Sequence, residues 1–184
     1  NQATFRFEFA SDWYVNTADD TSRFGWLIDE ITAVSGSDIL VETNCEAPDT
    51  GMFTSSVEPP SVFEKSGYYS VSPDSSWRAR DNAIGANCAL TSPWIYLDPL
   101  IGGYQDIWKQ RLDTKTVTAT NDTVVLSFWQ WMRCEPPEWD GGNVWMSVNG
   151  GNFQVIFPEI FPYDSLLRAW EAHGDTATWG WGRE

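Results

Sequence analysis

The stretch Thr4 to Ala10 reads Thr-Phe-Arg-Phe-Glu-Phe-Ala and alternates without a break. Phe5, Phe7 and Phe9 fall on one side of an extended chain, Arg6 and Glu8 on the other. A helix repeats its faces every 3.6 residues and cannot use this pattern. A strand with one face in a core can. Two more strands follow at Phe24–Val34 and Asp38–Glu42. Thr123–Cys134, rich in β-branched and aromatic residues, is the strongest strand of all. Asn143–Phe157 reads as a hairpin turning at Asn149-Gly150-Gly151. Many short strands separated by turn signals predict an all-β sandwich.

The remainder is less regular. Thr43–Gly67 is Pro-rich and reads as a connection, Tyr68–Ser72 as a brief strand, and Ser75–Ala86 as loop. Asn87–Leu97 is apolar, but Pro93 restricts it to an edge strand or a bulge. Two short helices are predicted. One lies within Tyr104–Leu112. The other lies in Tyr163–Gly174, capped by Asp164 and ended by Gly174. Thr176–Glu184 reads as an aromatic strand or loop.

At 184 residues the chain is the size of one domain, and twelve Trp argue for a packed core. A net charge of -15 repels nucleic-acid phosphates and anionic lipid surfaces, and attracts divalent cations. No apolar run reaches the roughly 18 residues of a membrane span. The chain starts in mid-pattern at Asn1, as a mature product or an excised fragment does. Cys45, Cys88 and Cys134 include no Cys-x-x-Cys pair and His173 is the only histidine, which argues against zinc. One disulfide and one free thiol in an oxidising compartment is the economical reading. His173 sits at a predicted helix end with no nucleophile elbow nearby, and no His-Glu-x-x-His occurs. The chain is therefore read as non-enzymatic. Asn121-Asp122-Thr123 matches a glycosylation sequon.

Several segments together resemble a known family. They are Leu-Thr-Ser-Pro at 90–93, the Val124–Cys134 strand, Asp140-Gly141-Gly142, Ser-Val-Asn-Gly-Gly at 147–151, Arg-Phe-Glu-Phe-Ala-Ser-Asp at 6–12 and Gly-Trp-Leu-Ile-Asp-Glu-Ile at 25–31. They are similar to the MAM-like jelly-roll modules that accompany immune-inhibitor-A type secreted metallopeptidases and occur in bacterial surface proteins. The order differs: the two closing signatures come first. The module is either circularly permuted or cut out of phase from tandem repeats. In both cases residues 1–42 supply closing strands, 43–66 a connection and 67–184 the remaining strands. The closing strands complete this module or, as donated strands, a neighbouring copy.

The resemblance implies a jelly-roll β-sandwich, extracellular or at the cell surface, with a structural or adhesive role beside neighbouring copies. It also implies a structural calcium shared by Asp29 and Glu46. Asp49, Glu138 and Asp140 are further candidate ligands, since calcium takes hard oxygens. Asp29 lies among apolar neighbours, so its carboxylate needs a metal, an arginine or backbone amides. A second reading is a carbohydrate-binding module using Trp129, Trp131, Trp139 and Trp145, because indole faces stack on sugar rings. A glycosidase, needing two carboxylates across a cleft, is a third.

Overall fold

The computed structural model describes residues 1–12, 23, 25–44, 53–58, 62–66, 76–80, 109–135 and 138–182, with 54–58, 62–66 and 76–80 described by their backbone. The strands are β1 (Gln2–Ala10), β2 (Gly25–Ser35), β3 (Asp38–Thr43), β4 (Phe53–Glu58), β5 (Val62–Ser66), β6 (Ser76–Arg80), β7 (Lys109–Thr114), β8 (Val117–Thr118), β9 (Val125–Arg133), β10 (Gly141–Val148), β11 (Gln154–Val155), β12 (Ser165–Leu167) and β13 (Thr178–Gly180). A single turn of helix, α1 (Ala169–Ala172), lies between the last two strands. The chain is all-β, and its two main sheets are antiparallel throughout.

The first sheet runs β11-β10-β1-β7-β4, with β8 also beside β1. The second runs β3-β2-β6-β5, and β9 lies along β2 from Gly25↔Arg133 to Val34↔Val125. Because β9 fills one side of β2, β3 and β6 share the other. The N-terminal strands are thus central in both sheets, and both take their neighbours from the same chain.

The period-two pattern explains how the sheets meet. Phe5, Phe7 and Phe9 from β1 and Trp26, Ile28, Ile31 and Ala33 from β2 form one buried cluster, which makes the pair of sheets a sandwich. Phe7 meets Trp26 at 6.0 Å and stands edge-on to Phe128 of β9 at 5.0 Å, so the aromatic rings interlock across the layers. On β9, Leu126, Phe128 and Met132 pack against this core, while Val125 and Trp129 are exposed.

β2 carries an irregularity. Its register with β9 slips between Asp29 and Thr32, and Glu30 takes a left-handed conformation with φ of 47°. The extra residue of this bulge lets Ile28 and Ile31 both reach the core, which strict alternation would forbid. Asp29 is fully buried, and its Oδ1 accepts a hydrogen bond from the Glu30 amide at 2.8 Å.

Some local expectations are corrected. The connection read over 43–66 contains β4 and β5, and the loop read over Ser75–Ala86 contains β6. Lys109–Leu112, read as helix, belongs to strand β7, held between β1 and β4. In the C-terminal segment Ser165–Leu167 is a strand. Helix α1 starts only at Ala169, and its N-cap is Arg168, not Asp164. Asp164 instead accepts from the Gly182 amide at 3.0 Å. Gly174, with φ of 80°, follows the C-cap residue His173. Tyr68–Ser72 and Asn87–Leu97 lie outside the described residues.

The hairpin after β10 matches its sequence signal. The Gly151 amide bonds the Val148 carbonyl at 2.9 Å, and Asn149 and Gly150 have φ of 51° and 71°, as a type I′ turn requires. The C-terminal segment folds across the outer side of the first sheet. Ala10, Leu167, Ala169 and Trp170 form a second buried cluster there. Glu8, expected on a solvent face, is therefore 3% exposed and accepts a 2.7 Å bond from the Trp170 indole.

Candidate metal centre

Asp12 follows the end of β1, Glu135 follows β9, and Asp140 precedes β10. The ladder between β1 and β10 ends at Ala10↔Gly141, so Asp12 and Asp140 meet just beyond it. Asp140 Oδ1 accepts the Asp12 amide at 2.9 Å. Glu135 arrives from the second sheet just after β9, and the Asp140 amide reaches its carbonyl at 3.4 Å. One carboxylate oxygen from each of the three residues lies within 4.8 Å of the others. Asp12 and Asp140 are 3% and 0% exposed, and Glu135 is half-buried.

Two glycines make this convergence sterically feasible. A Cβ on Gly141 would stand 2.4 Å from the Trp181 carbonyl oxygen, and one on Gly142 would stand 2.5 Å from the Trp26 ring. Neither glycine is left-handed. They provide close approach. Trp181 bridges to Gly142, which lets the C-terminal strand close over the start of β10.

At this spacing, two carboxylates repel by about 3 kcal/mol in an effective dielectric near 20. A cation lies nearby: Arg23 donates from Nη1 to the carbonyl of Cys134, next to Glu135. Three carboxylates at this spacing form a set of hard oxygens, and such a donor set suits a divalent cation with backbone or water oxygens completing the shell. Next to it, Cys134 is a fully buried free thiol, and its Sγ donates to the Asp140 carbonyl at 3.4 Å. Burial first, then the charge of Asp140, raises its pKa well above the ordinary 9.0.

Of the five metal ligands expected from sequence, Asp140 belongs to this cluster. Glu138 is exposed, and its carbonyl accepts the Arg168 amide at 2.6 Å. Asp29 sits four positions along β2 from Gly25, the partner of Arg133, and so roughly 13 Å of strand away. Glu46 and Asp49 lie outside the described residues, as do Cys45 and Cys88. Sequence reading did not single out Asp12 and Glu135, the other two members of the cluster. Asp12 was visible only as the end of the Arg-Phe-Glu-Phe-Ala-Ser-Asp signature.

The four candidate tryptophans do not converge. Trp129 is 56% exposed on β9 of the second sheet, and Trp131 on the same strand is half-buried. Trp139 lies in the β9–β10 loop with the Arg168 guanidinium 4.9 Å from its ring. Trp145 belongs to β10 of the first sheet. His173 caps α1, its Nε2 3.3 Å from the Ser11 carbonyl. Asn121 of the sequon is exposed. Its Oδ1 accepts from Ser35 Oγ at 3.1 Å and from the Thr123 amide at 2.9 Å, tying the β2–β3 turn to the loop before β9. No helix among the described residues is long and apolar enough to cross a membrane. No known family model, curated protein or solved structure matches the chain.

Proposed function

We propose that the chain is a non-catalytic structural or adhesive module, of jelly-roll type, in which calcium clamps one end of the sandwich through Asp12, Glu135 and Asp140. One observation carries this reading: three acidic side chains from three separated segments, two of them buried, place oxygens within 4.8 Å of one another. Buried like charges are costly unless compensated, and calcium compensates them with the ligands it prefers. Its role here is structural, since the carboxylates fasten the ends of strands from both sheets.

An extracellular setting fits this chemistry. Extracellular calcium modules work with dissociation constants of roughly 10⁻⁴ to 10⁻³ M, a range open to a site with few carboxylates. Neighbouring modules or copies are the partners of such a domain. Completion of a neighbour by donated strands is the less supported version, because β1 and β2 find their neighbours within the chain.

Thermal melts of the purified chain in calcium and in chelator test the reading. Calcium at about 100 times its dissociation constant adds roughly 2.7 kcal/mol. For a domain of this size that raises Tm by about 5–10 °C. Identical melts in calcium and in chelator would defeat the proposal.

A further inference from the structure

A cleft of about 250 Å³ opens on the outer side of the first sheet, away from the acidic cluster, between β1, β7 and β10 and the segment that follows α1. Its walls combine two kinds of surface. Trp145 and Phe153 provide aromatic area, and both are half-buried. The Trp145 indole is fixed, because its Nε1 donates to Asn143 Oδ1 at 2.6 Å and its ring packs against the Leu167–Trp170 cluster. Between the aromatics lies a connected set of charges. Arg6 forms a two-pronged pair with Asp113 at 2.7 and 2.8 Å, and its guanidinium lies 3.8 Å from the centre of the Phe153 ring. Arg111 donates from Nε to Glu8 Oε2 at 2.5 Å, and Lys109 pairs with Asp175.

Two features of this network point to a ligand. Glu8 and Lys109 are 3% and 6% exposed, and buried ion pairs are weak stabilisers that apolar packing often replaces without loss. Among the described residues the charges of the network also cancel, three cations that line the cleft (Arg6, Lys109, Arg111) against Glu8 and Asp175 in the lining and Asp113 paired to Arg6. A ligand with formal charge gains nothing from a neutral site, and an anion is opposed by the chain's net charge of -15. What remains is a fixed array of donors and acceptors next to aromatic faces. That array matches a neutral polyhydroxyl ring, with its C–H face on an aromatic and its hydroxyls bonded to guanidinium and carboxylate. The volume lies just below the roughly 300–1,000 Å³ of drug-sized ligand sites, which selects one ring over a long chain.

We infer that this cleft binds a neutral sugar ring, with Trp145 as the platform and Arg6, Arg111 and Asp175 as its hydroxyl-reading groups. The inference is independent of calcium and uses only one of the four tryptophans suggested by sequence.

Titration calorimetry with methyl glucoside, methyl galactoside and methyl mannoside tests it, with glucuronate as the anionic probe. At least one neutral glycoside saturates the intact chain, with a dissociation constant in the millimolar range. Trp145→Ala weakens that binding at least tenfold, and Trp129→Ala, on the other sheet, leaves it unchanged. Glucuronate binds at least tenfold more weakly than the best neutral probe. Arg111→Gln, at a partly exposed position, gives the same loss and serves if Trp145→Ala does not fold. The inference is overturned if no neutral glycoside saturates, if both cleft variants bind as the parent does, or if glucuronate binds best.

Discussion

The carboxylate of Asp140 holds the backbone amide of Asp12 at 2.9 Å across 128 positions of sequence. The bond joins the end of the first strand to the start of the tenth and turns one oxygen of Asp140 toward the first strand's end. Asparagine keeps that acceptor and removes the charge. Asp140→Asn should therefore fold, melt near or above the parent in chelator, and lose the rise that calcium gives. Asp29→Asn should keep the rise, because Asp29 stands apart from the cluster. Differential scanning fluorimetry with and without calcium compares them, and equal rises in Asp140→Asn and the parent would remove Asp140 from the site.

Glu30 occupies the left-handed region with φ of 47° in the bulge of β2. Residues with a Cβ incur about 1 kcal/mol there, and glycine does not. Glu30→Gly should raise the urea midpoint by an amount worth up to about 1 kcal/mol, with the slope unchanged, whereas Glu30→Ala should give no gain. A Glu30→Gly midpoint below that of Glu30→Ala would show that the bulge is not strained.

Tyr163 is buried at 9% exposure. Its hydroxyl accepts the Val144 amide at 2.9 Å and donates to the Ile156 carbonyl at 2.8 Å. Tyr163→Phe leaves both groups without this partner and should cost about 1–3 kcal/mol. Burial pushes the Tyr163 pKa upward from its ordinary 10.0. The unfolded chain thus releases the phenol proton near pH 10 while the folded chain keeps it. The contribution is whole below pH 10 and declines as pH rises further toward the folded value. The stability gap between parent and Tyr163→Phe should therefore narrow above pH 10 in urea titrations. A gap that stays constant or widens contradicts this coupling.

Gly142 and Gly150 are required for different reasons, and alanine separates them. At Gly142 the new methyl would overlap the Trp26 ring and the Met132 methyl, 2.5 and 2.9 Å away, between the two sheets. Overpacking of this kind costs about 1–3 kcal/mol, often more against a rigid ring. At Gly150 nothing lies within 4 Å, and only the φ of 71° opposes alanine, at about 1 kcal/mol. Chemical denaturation should rank Gly142→Ala well below Gly150→Ala. Equal losses would mean that close packing of β10 on Trp26 is not required.

Much of the fold was legible because alternation is a local signal. Phe5, Phe7 and Phe9 mark β1, Trp26 and Ile28 mark β2, and Asn149-Gly150 marks its turn without reference to distant residues. Phe53–Glu58 and Ser76–Arg80 were illegible for the opposite reason. They are short, and a largely polar strand such as Thr54-Ser55-Ser56 is held by ladder bonds to β7, which its own composition does not advertise. Lys109–Thr114 misled because a strand covered on both sides by charged and aromatic partners carries no simple period. The acidic cluster was half legible. Asp140 stands out beside two glycines, but Asp12 and Glu135 are two among 26 acids, and only strand register brings them together. Likewise, nothing local signals that Arg6 and Glu8 lie under a C-terminal segment instead of in water.

The central position of β1 also has a cost during synthesis. Gln2 is hydrogen-bonded to Asn149, 147 positions later, and β1 bonds to β7 on its other side. At roughly 5–20 residues per second, the first strand leaves the ribosome several seconds before its partners exist. For that interval three phenylalanines and two open edges are without cover, in a form that pairs readily with another nascent chain. Shielding of Gln2–Ala10 until β7 and β10 have emerged is therefore a requirement that this topology places on the cell.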